Sequence, residues 1–251
     1  MKVTDLAIAA KLVYPSTCSR QETEIRLHRM FPWEPWGIRF IDVARTDSEG
    51  LVMRAGGIVL VAFAGTESWR DILLDLWFIP GAYYHGDIPM IVHSGFAGAV
   101  GAAGPRVVAA VHSLFRDDMP ALATADVWAT GHSLGAAVAL GALDAIRYCF
   151  PEVLGRTRAI TFGCPNGWSG AAREAWNRRH RGANYINPWD YVTKLLGITT
   201  GRPGRDIRLK GRAGHFMDKY IENLEGLHRG KAEHHPGAPG GPEQAGCSQG
   251  R

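Results

Sequence analysis

Apolar positions along this chain recur with two periods. The runs "GIRFIDVA" (Gly37–Ala44) and "LVMRAGGIVLVAFAG" (Leu51–Gly65) are of strand length and are separated by "TDSEG". Short apolar runs bounded by turn residues predict antiparallel strands and a hairpin. From Val92 the spacing lengthens. "VHSGFAGAV…VVAAVHSLF" (Val92–Phe115) predicts a long helix, capped by Ser94 and kinked at Pro105. Strand and helix patterns then alternate: "ADVWATG", "SLGAAVALGALDAIRYC", "RAITFG", "SGAAREAWNRRH", "ANYIN". That order implies parallel pairing through right-handed crossovers. The predicted fold class is α/β, a mostly parallel central sheet flanked by helices, with antiparallel strands on the N-terminal side.

The ends of the chain read differently. "MKVTDLAIAAKLVYP" carries Asp5 and Lys11 inside its apolar stretch. A signal peptide needs an unbroken apolar region, so an amphipathic helix is predicted and no signal peptide is evident. No transmembrane segment is evident either. The uncharged stretch between Asp126 and Asp144 is short and interrupted by glycine, histidine and serine. The one from Ile88 to Pro105 contains prolines, a histidine and glycines. The domain is predicted to span 1–227 and a disordered Gly/Pro-rich tail 228–251. That tail cannot bury enough apolar surface to offset the entropy of ordering. Its His234 and His235 are read as solvated. The default address is cytoplasmic.

Charge narrows the function classes. The net charge of +4 is concentrated in "NRRHRG" and "GRPGRDIRLKGR". No aromatic-interleaved basic stripe accompanies them, so nucleic acid is not an expected partner and a solvated basic face is. Transient contact with an anionic lipid interface stays open. Cys18, Cys149, Cys164 and Cys247 form no C-x-x-C pair. No metal and no cofactor is expected, and Cys149 and Cys164 are read as buried free thiols.

The chemistry centres on Gly131-His132-Ser133-Leu134-Gly135. A chain with 31 glycines meets G-x-S-x-G by composition roughly 0.1 times, so context must carry the motif. It falls where a predicted strand turns into a predicted helix, as a nucleophile elbow must. Ser133 is the expected nucleophile. Gly131 and Gly135 relieve crowding at the turn, and the helix N-terminus offers the Leu134 backbone N–H to a developing oxyanion. Adjacent residues on such a turn diverge, so His132 is read as a packing or hydrogen-bonding residue.

A hydrolase of this kind runs Ser, then Asp or Glu, then His. The later aspartates are Asp144, Asp190 and Asp206. Asp144 lies about 16 Å along the nucleophile's own helix, out of reach. Asp190 follows the "ANYIN" strand at the edge where Ser133 emerges and is preferred to Asp206. Among His215, His228, His234 and His235, the last three border or enter the tail. His215 is the expected base, since a mobile imidazole transfers protons poorly.

"TGHSLGAAVA" resembles the nucleophile region of the class 3 lipases, the fungal triacylglycerol lipase-like branch of the α/β-hydrolases. "FAGTESWRDILLDL" (Phe63–Leu76) is similar to that family's oxyanion segment and "VHSGF" to the start of its following helix. "ITFGCPNGW" resembles its F-G-x-P segment, "NPWDYVTKL" its acid segment and "GHFMDKYI" its histidine segment. Ala64 and Ala136 depart from residues common in the family. The resemblance implies an α/β-hydrolase fold and a carboxylic ester hydrolase with a Ser133-Asp190-His215 triad, acting on a lipid or small ester. It adds the Thr66 backbone N–H as second oxyanion donor. It also implies a lid in "SWRDILLDLWFIPGAYY" (Ser68–Tyr84), carrying Trp69, Leu73, Trp77 and Phe78; an ordinary core helix is the alternative there. An acylglycerol lipase is the leading expectation. Phospholipase A1, feruloyl-type esterase and acyltransferase are alternatives on the same site, and a catalytically silent partner-binding domain is the non-enzyme alternative.

Overall fold

The computed structural model describes residues 1–43, 48–65, 80–85, 88–194, 200–211 and 213–232. Helices α1 (Val3–Leu12) and α2 (Arg20–Met30) open the chain. Strands β1 (Trp36–Val43), β2 (Ser48–Ala55) and β3 (Ile58–Phe63) follow as an antiparallel meander. Gly56 turns β2 into β3 with a φ of 56°, a conformation other residues resist. A separate antiparallel pair, β4 (Pro80–His85) and β5 (Ile88–His93), precedes the long helix α3 (Ser94–Phe115). After the one-turn helix α4 (Met119–Leu122), β6 (Asp126–His132), α5 (Leu134–Cys149), β7 (Thr157–Phe162), α6 (Gly170–Arg179) and β8 (Arg181–Ile186) alternate. The edge strand β9 (Arg205–Arg208) and helix α7 (Met217–Ala232) complete the described chain.

The main sheet has seven strands in the order β1-β2-β3-β6-β7-β8-β9. Every pairing from β3 to β9 is parallel. Strand β3 is the hinge between the antiparallel and parallel halves, and its alternation builds two cores. Val59, Val61 and Phe63 pack with α3, α5 and α6 on one face. Leu60 and Ala62 pack with α1, α2 and α7 on the other. Phe63 pairs with Gly131, so the chain leaves β3 directly beside the end of β6.

Several sequence expectations change. Val92 and His93 belong to β5, not to the helix, because "IPMIVH" follows a period of two, with Met90 and Val92 buried and Ile91 exposed. The helix starts at Ser94, and its cap is the His93 ring, which accepts from Gly95 N at 3.1 Å, rather than Ser94. The end of the stretch read as lid or core helix is strand: Pro80–Tyr84 lie in β4, with Tyr83 buried and Tyr84 exposed. Cys149 is exposed on the last turn of α5, whereas Cys164 is buried and burial pushes its thiol up to about 12. Helix α2 was not foreseen because only Thr23 and Leu27 of its eleven residues are buried. Its signature was the Ser19/Glu22 capping box. Helix α7 continues to Ala232, past residue 227. Helix α3 is long and apolar enough to cross a bilayer by length and composition. Its Phe96, Val100, Val107, Val111 and Phe115 are nevertheless buried against the sheet.

Candidate active site

Strand β6 ends at His132 and helix α5 begins at Leu134, so Ser133 alone makes the reversal. Its φ of 55° is the one positive value among the described non-glycine residues. Such a conformation costs about 1–3 kcal/mol and persists only when its surroundings fix it. They do so here. Ser133 N donates to Phe162 O at 3.1 Å, and Ser133 O accepts from Ala136 N at 3.0 Å. A Cβ on Gly131 would meet Gly135 O at 2.4 Å, and one on Gly135 would meet Ala64 O at 2.3 Å. Strand, helix and the exit of β3 therefore converge where no side chain fits. Leu134 opens α5, where the first backbone N–H groups have no acceptor within the helix.

Two loops bring the remaining groups to this turn. His215 precedes α7, and its Nε2 lies 2.8 Å from Ser133 Oγ. Its Nδ1 lies 2.9 Å from Oδ2 of Asp190, in the turn after β8. Asp190 is fully buried while Ser133 and His215 are each 6% exposed, so the serine and histidine end of the array alone meets solvent. Asp190 Oδ1 accepts from Val192 N at 3.0 Å, and the Tyr220 hydroxyl donates to Oδ2 at 2.5 Å. Burial pushes the Asp190 carboxyl up. The hydrogen bond and charge of His215, with the Tyr220 hydroxyl, outweigh it and hold the group below the ordinary carboxylate range. Asn187 donates to Gly214 O at 2.9 Å and so ties the acid's loop to the base's loop.

His132 makes two hydrogen bonds. Its Nδ1 is 2.6 Å from the Tyr14 hydroxyl and its Nε2 is 2.6 Å from His215 O. Burial, then the neighbouring His215 imidazole, lower its pKa to about 3, so the ring is neutral. Gly163, after β7, has a φ of 58°, and a Cβ there would lie 2.9 Å from Asp190 Oδ2.

The structure thus brings Ser133, Asp190 and His215 together and leaves the other candidates apart. Asp144 is buried among Tyr83, Arg179 and His180. Asp206 contacts Asn184 and Arg202. Thr66, Trp69, Leu73, Trp77 and Phe78 lie outside the described residues, as do His234, His235 and Cys247. Tyr14, Tyr220, Asn187 and Gly163 are site residues that sequence reasoning did not assign. Gly163, Asn187 and Tyr220 had a signal, in the "ITFGCPNGW", "NPWDYVTKL" and "GHFMDKYI" segments; Tyr14 had none. A cavity of about 260 Å³ opens on Ser133, His132 and His215, with Tyr14, Thr17 and Phe216 in its wall. A larger groove of about 910 Å³ between α3 and α5 does not touch them. Among the described residues, no group of three or more His, Cys, Asp or Glu could hold a metal ion.

Fold and site together define an α/β-hydrolase. The sequence profile of lipase (class 3) matches residues 60–199, more than half of the chain. The chain belongs to the class 3 lipase family and is a carboxylic ester hydrolase. Solved structures resemble it at low identity. Lipase II from Rhizopus niveus is 21% identical with a TM-score of 0.68, over 83% of this chain and 79% of that one. The Rhizomucor miehei lipase in its propeptide complex is 20% identical with a TM-score of 0.66, over 83% and 67%. A triacylglycerol lipase from Penicillium expansum is 16% identical with a TM-score of 0.64, over 84% and 80%. At these identities the likeness is one of fold. Comparison with curated proteins gives no match.

Proposed function

We propose that the protein hydrolyses acylglycerol esters through a Ser133-His215-Asp190 triad and an acyl-enzyme intermediate. One observation carries this reading: the unbroken line of hydrogen bonds from Ser133 Oγ through His215 to Asp190, at 2.8 and 2.9 Å. Ser133 Oγ attacks the ester carbonyl while His215 Nε2 takes its proton. The tetrahedral oxyanion is met by the Leu134 N–H, with Thr66 N–H as the second donor on the resemblance of its segment. Each such donor is worth about 3–4 kcal/mol of transition-state stabilisation. Collapse breaks the C–O bond, and His215 returns the proton to the departing alcohol. Water then repeats the sequence on the acyl-enzyme, releasing the fatty acid and restoring Ser133. Asp190 holds the imidazole in the right tautomer and stabilises its cation.

The family and the Penicillium expansum neighbour, itself a triacylglycerol lipase, support acylglycerols as the substrate class. The test is a panel of p-nitrophenyl esters of rising chain length beside emulsified triacylglycerol and phospholipid, with fluorophosphonate labelling of the serine. Asp190→Asn lowers kcat by about 10⁴ on this reading, and Asp206→Asn changes it little. The reverse outcome transfers the acid's role, and an unlabelled Ser133 ends the proposal. Hydrolysis of phospholipid with triacylglycerol untouched moves the substrate class and leaves the triad standing.

A further inference from the structure

The hydrogen bonds beside Ser133 have one consistent direction. A carbonyl oxygen only accepts, so the 2.6 Å contact from His132 Nε2 to His215 O means that Nε2 carries the proton. The buried ring is neutral, its pKa held near 3, which leaves Nδ1 as an acceptor. The Tyr14 hydroxyl, 2.6 Å away, donates to it. The same hydroxyl oxygen accepts from the Gly65 N–H at 2.9 Å.

This chain of bonds joins segments far apart in sequence. Gly65 leaves β3 immediately before Thr66. It abuts the elbow: a Cβ on it would stand 2.8 Å from Ser133 Cβ and 2.8 Å from His132 O. At the other end, the accepting carbonyl belongs to His215 itself. The two imidazoles lie with centroids 4.6 Å apart and planes tilted by 35°, so the His132 ring also backs the His215 ring. Tyr14 hangs from the turn after α1, and it lines the cavity that opens on Ser133.

We infer that Tyr14 and His132 are positioning residues that lock Gly65, at the exit of β3, to the backbone of His215, fixing that strand exit and the base in one frame around Ser133. The inference rests on the triad reading above. Its physical basis is tolerance: a shift of about 1 Å in a reacting group costs about 100-fold in rate. Gly65 and His215 each adjoin the nucleophile, and this relay spans between them. Neither side chain exchanges a proton with substrate. Tyr14 acts on Gly65, and His132 acts on His215.

The experiment compares Tyr14→Phe, His132→Leu and His132→Gln with the full-length parent. It measures kcat, KM on p-nitrophenyl butyrate, the rate of fluorophosphonate labelling of Ser133, and the melting temperature. Tyr14→Phe and His132→Leu are expected to cut kcat and labelling rate together by about 100-fold, with KM within about twofold. A glutamine amide can both donate to His215 O and accept from Tyr14. His132→Gln is therefore expected to recover about tenfold or more over His132→Leu. The double variant Tyr14→Phe/His132→Leu should be no slower than its worse parent, because one relay is cut only once. A merely structural role predicts otherwise. Rates per folded molecule would then stay near the parent's, KM would rise at constant kcat, or glutamine would give no rescue, and each of these results overturns the relay. If His132→Leu does not fold, Tyr14→Phe, which deletes one oxygen, decides alone. A parent that is not labelled at Ser133 overturns the triad reading. A labelled parent with an equally fast Tyr14→Phe overturns only the relay.

Discussion

Tyr220 and His215 donate to the same oxygen, Oδ2 of Asp190, at 2.5 and 2.9 Å. Tyr220 in turn accepts from Asn187 N at 3.1 Å, just ahead of the Asp190 turn. The tyrosine thereby anchors the acid from the α7 side, and both groups are fully buried. Burial, and then the charge of Asp190, push the tyrosine's own pKa up, so it remains a donor. Tyr220→Phe leaves two buried acceptor and donor positions unmet. An unfolding free energy lower by about 1–3 kcal/mol is expected, with kcat reduced by about tenfold as the carboxylate loosens. Chemical denaturation and kcat on a short-chain ester, measured on one preparation, check both. Unchanged values for the two would mean that Asp190 is held by Val192 N and His215 alone.

The strain at Ser133 separates catalysis from stability. Ser133→Ala removes the nucleophile and keeps the Cβ in the same strained conformation, so activity should vanish while the fold persists. Ser133→Gly removes the nucleophile and the penalty together. The glycine variant is therefore expected to be more stable than the alanine variant by about 1–2 kcal/mol. Paired urea titrations give this difference directly. Equal stabilities would show that the φ of 55° carries no cost, and hydrolysis by Ser133→Ala within about tenfold of the parent would remove Ser133 as nucleophile.

What the sequence made legible was what depends on neighbours along the chain. The strand-to-helix junction at Ser133 reads from two adjacent periodicities. Asp190 follows from a strand that must end at the same sheet edge. The β4–β5 pair was lost because "IPMIVH" runs straight into a glycine- and alanine-rich helix, and one long apolar stretch masks the change of period. The partners of Tyr14 and Tyr220 were illegible for a different reason. Tyr14 meets His132 across 118 residues of sequence, and Tyr220 meets Asp190 across 30. A hydrogen bond that exists only after the sheet has assembled leaves no local pattern. The neutral state of His132 is of the same kind, since burial by three segments creates it.

That buried neutral ring makes stability depend on pH with a definite sign. The pKa of His132 is about 3 in the folded protein, against 6.5 for a free histidine. Below pH 6.5 the unfolded chain takes up a proton that the folded chain refuses. The contribution is fully present above 6.5 and is lost as pH falls toward 3, at about 1.4 kcal/mol per pH unit. His180, whose pKa burial also lowers, acts in the same direction. The carboxyl of Asp190, held below its ordinary 3.8, adds a further loss at the acid end of that window. Unfolding free energies measured from pH 8 to pH 4 should be flat at first and then fall. His132→Gln should flatten the fall by about one proton. A slope that the substitution does not change would assign the acid sensitivity to other groups.

Gly163 offers the sharpest test of how closely acid and base are packed. Its φ of 58° lies in the left-handed region, and a Cβ there would stand 2.9 Å from Asp190 Oδ2 and 3.2 Å from His215 Cε1 and Nδ1. The methyl of Gly163→Ala would therefore press on both partners of one hydrogen bond. Two costs are expected, and they can be separated. The backbone cost is about 1–2 kcal/mol of stability for a non-glycine residue in this conformation. The crowding cost falls on the reaction: displacing the carboxylate from the imidazole should lower kcat by about 100-fold with KM little changed. Gly155 is the control, with a φ of 79° and no atom within 4 Å of its built Cβ. Gly155→Ala bears the backbone cost and no crowding, so it should lose similar stability and keep its kcat. Melting curves and kcat for the two variants, normalised to folded protein, make the comparison. If Gly163→Ala matches Gly155→Ala in kcat, the acid and base tolerate a methyl group between them, and their spacing is not what limits the reaction.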